Sequence, residues 1–186
     1  LEEPHHLARH LLRLRTIQEE TGGFTEFVPL SFVHRRAPAW LNSTIPELRA
    51  GATGCEVLVV HALARVVLGQ TVRNIQASWV KEGPRLAQIL LNCGANDLGG
   101  TLLTESISTA AGSEHGGFLS PGELNRLILD AGRLPARRDT WYRLLDRAAG
   151  TADPLDSHSW EVPDREAGVR TAKGPGQTPP NQPGPP

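Results

Sequence analysis

Three short stretches rich in apolar, aromatic or β-branched residues, 24–30, 72–80 and 95–98, alternate with longer stretches of helical periodicity. This alternation restricts what the chain can fold into more than any other feature, because buried strands and amphipathic helices leave different spacings of apolar residues. Over 4–20, Leu7, Leu11, Leu14 and Ile17 share one helical face, and Gly22-Gly23 stops the helix. Thr53 and Glu56 have capping-box spacing ahead of Val57, Val60, His61, Ala64, Val67 and Leu68, with Gly69 as the stop. Pro84 opens a helix over 85–92 that Gly94 closes. Ser120, Pro121 and Glu123 open another, which runs to Asp130 and stops at Gly132. Strand and helix in alternation predict βα units, an α/β fold with a parallel sheet, and ligands at the carboxyl ends of the strands.

A complete eightfold βα barrel takes about 250 residues, so residues 1–150 are expected to supply part of one, truncated on the N-terminal side. Beyond Gly150 the composition shifts to Pro and Gly, ending Gly174-Pro175-Gly176-Gln177-Thr178-Pro179-Pro180-Asn181-Gln182-Pro183-Gly184-Pro185-Pro186. Such a stretch has little to bury against the entropy of ordering, and 151–186 reads as a disordered Pro/Gly-rich tail. A net charge of -1 over 186 residues gives no bias toward nucleic acid or an anionic membrane. No apolar run approaches the roughly 18 residues that span a bilayer, and Glu2, Glu3 and Pro4 do not resemble a signal peptide. A cytoplasmic protein is expected. Cys55 and Cys93 are too far apart in sequence for a metal motif and read as buried small apolar residues.

Polar groups at or just after the expected strands are the candidate binding residues: Thr25 and Glu26, Gln76 and Ser78, and Asn96 and Asp97 ahead of Gly99-Gly100-Thr101. Glycines there let backbone approach a ligand, and Asn, Asp, Gln and Glu can read hydroxyl, amide or amine groups. The stretch 94–101 has neither a Walker ending nor a dinucleotide fingerprint. His115 lies in a glycine-flanked loop, with Glu105 and Glu114 nearby as orienting carboxylates. His61 reads as a hydrogen-bonded core histidine, and His6 and His10 as solvated, since no Glu stands where a metalloprotease base would. Arg137, Arg138 and Arg147, interleaved with Trp141 and Tyr142, read as a solvated terminal helix whose aromatics seal the barrel bottom. No nucleophile triad can be placed, and no catalytic residue is assigned.

Three blocks carry a family resemblance: Gln18-Glu19-Glu20-Thr21-Gly22-Gly23-Phe24-Thr25-Glu26-Phe27-Val28-Pro29-Leu30, Asn74-Ile75-Gln76-Ala77-Ser78-Trp79-Val80-Lys81, and Gly94-Ala95-Asn96-Asp97-Leu98-Gly99-Gly100-Thr101. Over about residues 1–142 the chain resembles FO synthase, in particular the subunit or half that joins tyrosine to a ribitylaminouracil in deazaflavin biosynthesis. The last two blocks are shared with radical enzymes of the futalosine route to menaquinone, which remain an alternative. A cluster-less, non-catalytic partner domain is another. The resemblance implies the C-terminal portion of a radical SAM partial TIM-type barrel and a transferase using S-adenosyl-L-methionine and a 4Fe-4S cluster. Its substrates would be L-tyrosine and 5-amino-6-(D-ribitylamino)uracil, with the other FO synthase half or subunit as partner. By that resemblance Thr25, Glu26, Gln76, Ser78, Asn96, Asp97, Glu105 and His115 would line the substrate and adenosylmethionine pocket. The family's three-cysteine motif is missing, so no metal site is expected in this chain, which reads as a fragment.

Overall fold

The computed structural model describes residues 3–102, 106–115 and 117–147. The expected tail, 151–186, lies outside the described residues. Helix dominates: α1 (Pro4–Thr21), α2 (Pro38–Leu41), α3 (Gly54–Leu68), α4 (Trp79–Glu82), α5 (Pro84–Leu90), α6 (Ile107–Ala110) and α7 (Pro121–Asp130) precede a hairpin of β1 (Ala136–Arg138) and β2 (Leu144–Arg147). The expected helix ends hold for physical reasons. Gly22 stops α1 in the left-handed region at φ 60°, its N–H donating to Gln18 O. Thr53 Oγ1 accepts from Glu56 N at 3.3 Å while Glu56 Oε2 accepts from Thr53 N at 2.7 Å, which fixes the start of α3. Ser120 and Glu123 repeat the device at α7.

The three expected strands are present only as single parallel bridges, Phe27 with Ile75 and Gln76 with Asp97. Phe27 N donates to Asn74 O at 2.9 Å and Gln76 N to Phe27 O at 3.0 Å, while Asn96 N donates to Ile75 O at 2.9 Å and Ala77 N to Asp97 O at 2.8 Å. The middle segment therefore pairs on both sides, and the order in space is that of the sequence. The segment expected over 72–80 stops early: Ser78 O accepts from Lys81 N and Glu82 N, so Trp79 and Val80 begin α4 instead. The predicted terminal helix is also corrected. Residues 136–147 pair antiparallel, Ala136 with Arg147 and Arg137 with Asp146.

One side of the three segments is closed by helices. Ile75 packs with Leu11 of α1 and Ala64 and Leu68 of α3, and Ala77 and Leu98 pack with Val57 of α3, Ala87 and Leu90 of α5 and Leu124 of α7. His61 belongs to this layer, 1 % exposed with its Nδ1 2.8 Å from Val57 O, while its buried Nε2 has no partner among the described residues. Burying a Leu or Ile side chain of this kind stabilises by about 1.5–3 kcal/mol. Cys55 does not share that layer: it is exposed and Cys93 half-buried, against the expectation of two buried thiols. Two residues ahead of buried Val57 on a 3.6-residue helix, Cys55 points to the far side.

Candidate functional site

Side chains alternate across an extended segment. With Ile75 and Ala77 turned to the helices, Gln76 and Ser78 face the opposite way, and the bridge sets Asp97 beside Gln76 on that open face. Gly99 follows at φ 76°, where a Cβ would lie 2.8 Å from Gln76 Nε2, so glycine suits both the backbone and the close approach of the Gln76 amide to the third segment. Ser78 is half-buried at the start of α4.

Two residues from the hairpin complete the face. Arg138 Nε donates to Asp97 Oδ2 at 2.7 Å and its Nη2 to Asp97 Oδ1 at 3.0 Å, a two-point ion pair. The Arg138 guanidinium lies 4.1 Å from the centre of the Tyr142 ring, and the Tyr142 hydroxyl donates to Glu26 Oε2. The pair with Asp97 raises the Arg138 pKa against the effect of burial. Burial first, and then the bond to Glu26, push the Tyr142 phenol above its usual range. Neither Arg138 nor Tyr142 was singled out from the sequence, where they read as parts of a solvated helix. The residue signal was there in the alternation of Arg137-Arg138 with Trp141-Tyr142, but their partners lie 41 and 116 residues away.

Glu26, Gln76, Ser78 and Asp97 are thus gathered on one face, and the remaining candidates fall elsewhere. Asn96 turns toward α3: its Oδ1 accepts from Arg65 Nη2 and from Ile75 N, both at 2.8 Å. Thr25 enters through its backbone, its carbonyl accepting from Asn74 Nδ2 at 2.9 Å. His115 is exposed and rests on Gly83, where a Cβ would come within 2.9 Å of its ring. With His34, Lys81 and Glu82 it lines a separate cavity of about 250 Å³. Glu114, expected to orient it, instead pairs with Arg35. Glu105 lies outside the described residues. Among the described residues no group of three His, Cys, Asp or Glu can hold a metal ion, and no helix is long and apolar enough to cross a membrane.

The chain is 49% identical over 146 residues to the 5-amino-6-(D-ribitylamino)uracil--L-tyrosine 4-hydroxyphenyl transferase 1 of Methanococcus maripaludis, covering 78% of this chain and 40% of that protein. The transferase of the same name from Methanocaldococcus jannaschii is also 49% identical, with the same coverage. That of Methanothermobacter thermautotrophicus is 49% identical, covering 78% of this chain and 39% of its own length. The chain therefore spans about two-fifths of the length of these curated relatives. Residues 21–151 match the model of the CofH/MqnC C-terminal region, and the chain belongs to that family.

Proposed function

We propose that this chain is the C-terminal part of a radical SAM βα-barrel transferase that moves the tyrosine-derived 4-hydroxybenzyl group to 5-amino-6-(D-ribitylamino)uracil, as in FO synthase. The observation that carries the reading is the gathering of Glu26, Gln76, Ser78 and Asp97 on the open face of three parallel segments, opposite the helices. In a barrel that face lines the interior, and the region that the relatives have and this chain does not span would complete the wall. Carboxylate, amide and hydroxyl groups match the hydroxyls and N–H groups of a ribitylaminouracil, which need acceptors once water is excluded. The helix-facing layer keeps the opposite side of the segments dry and fixes the positions of the polar ends.

The described residues do not fit a 4Fe-4S cluster: Cys55 is exposed on α3, and no third ligand accompanies it or Cys93. Cluster ligation, and the S-adenosyl-L-methionine chemistry that depends on it, are assigned to the region outside this chain. The test is a single polypeptide in which the missing region of the Methanocaldococcus jannaschii relative precedes this chain. Incubated without oxygen with L-tyrosine, the aminouracil and S-adenosyl-L-methionine, it should yield the aminouracil adduct by mass spectrometry. No adduct, where the intact relative makes it, would refute the reading.

A further inference from the structure

Glu26 and Asp97 both reach the open face, but their surroundings differ. Asp97 is filled: its Oδ1 accepts from Gly99 N at 2.5 Å and Arg138 Nη2 at 3.0 Å, and its Oδ2 from Arg138 Nε at 2.7 Å. Its side chain is only 9% exposed. Glu26 accepts one bond, from the Tyr142 hydroxyl on Oε2, and among the described residues no donor reaches Oε1, which is not buried. An ionised carboxylate offers about four acceptor directions. Asp97 has three of them occupied and little access, whereas Glu26 keeps a whole oxygen open.

We propose that Glu26 is the substrate-binding carboxylate of this face, and that Asp97, Arg138 and Tyr142 are positioning residues that act through it. Asp97 anchors the guanidinium, the guanidinium covers the Tyr142 ring, and the phenol holds one oxygen of Glu26 so that the other is presented in a fixed direction. The chain of contacts joins the first segment to the third across the middle one. Tyr142 takes up a left-handed backbone at φ 62°, a conformation that L side chains rarely adopt and that these contacts hold in place. A neutral or cationic donor, an N–H or O–H of the ligand, fits the free oxygen, while a phosphate or carboxylate would be repelled. The identity of that donor as the aminouracil rests on the function proposed above; the network does not.

Tyr142 is the one tyrosine in the sequence, so the ultraviolet absorbance of phenolate reports on it alone in the full chain. In the unaltered chain the phenol should titrate above the value of about 10 for free tyrosine. Glu26→Gln should lower its midpoint, with far-ultraviolet circular dichroism unchanged, and Asp97→Asn should lower it less. In calorimetric titration of the completed polypeptide described above with the aminouracil, Glu26→Gln should weaken binding at least tenfold and Arg138→Lys by a smaller factor. A phenol that titrates alike in the unaltered chain and Glu26→Gln would overturn the positioning role. Binding that survives Glu26→Gln in the completed polypeptide would overturn the binding role, whereas failure of the completed polypeptide itself to bind the aminouracil would refute the proposed function on which the binding role rests.

Discussion

Replacing Gly94 by alanine tests how closely the third segment must approach α3. Gly94 has φ 117°, and a Cβ built there would lie 2.5 Å from His61 O, 3.0 Å from His61 C and 3.0 Å from Arg65 Cβ. The first two are backbone atoms in the middle of α3, so they cannot swing aside as the end of a flexible side chain would. Backbone strain of this kind costs about 1–3 kcal/mol, and overpacking adds about 1–3 kcal/mol. Gly94→Ala should therefore lose about 2–6 kcal/mol, a large part of the roughly 5–15 kcal/mol that holds a domain together. The Arg65 Nε donation to Gly94 O at 2.8 Å would be disturbed as well. Two controls separate the causes. Gly22 has φ 60° with nothing within 4 Å, so Gly22→Ala should cost about 1–2 kcal/mol from conformation alone. Gly100 has open space and no positive φ, so Gly100→Ala should stay within about 0.5 kcal/mol. In urea unfolding, with a slope of about 2 kcal/mol per molar, Gly94→Ala should lower the midpoint by about 1–3 M. A midpoint no lower than that of Gly22→Ala would show that the contact with α3 relaxes freely and would refute the packing argument.

Arg138→Ala should destabilise by about 3 kcal/mol, because it strands the nearly buried Asp97 carboxylate, and the double variant with Asp97→Asn should recover part of that loss in a denaturant cycle. Asn96→Ala should cost about 1 kcal/mol by the same assay, since it leaves the part-buried Ile75 N without its acceptor while the exposed Arg65 Nη2 turns to water. The bond from Arg49, and then those from Thr53, hold the Glu56 carboxyl down to about 2, below its ordinary range. A depressed carboxylate stabilises above its unfolded value and the effect is lost as pH falls through the folded one; the melting temperature should drop between about pH 4.5 and 2, and Glu56→Gln should flatten that slope.

The parts of this structure that could be read from sequence are those set by neighbours in the chain. Thr53 with Glu56, and Ser120 with Glu123, satisfy backbone donors within three residues, so their helices start where the residues say. The apolar faces of α1 and α3 follow from periodicity for the same reason. The strands were legible as extended segments but not in extent, because neighbouring segments are joined by one bridge apiece and the turn after Ser78 competes for Trp79 and Val80. At the candidate site, Glu26, Gln76, Ser78 and Asp97 were nominated from their place at segment ends, and the structure gathers these four on one face. Asn96 could not be told from Asp97 by type, and only the register turns one to α3 and the other to the open face. Arg138 and Tyr142 were missed because their importance lies in partners distant in sequence, and nothing in the residues around Tyr142 announces its backbone conformation.

The middle segment also limits how such a chain can change length. Gln76 N and Ala77 N, adjacent in sequence, donate to opposite neighbours, and Ile75 N is held by the side chain of Asn96. An inserted or deleted residue within 72–77 would exchange the two faces, turning Gln76 into the helix layer and Ile75 or Ala77 toward the open face. No local adjustment repairs that reversal. Between α2 and α3, in contrast, residues 42–47 are exposed and lie outside the three paired segments. Length variation should collect there, while 72–77 keeps a constant count.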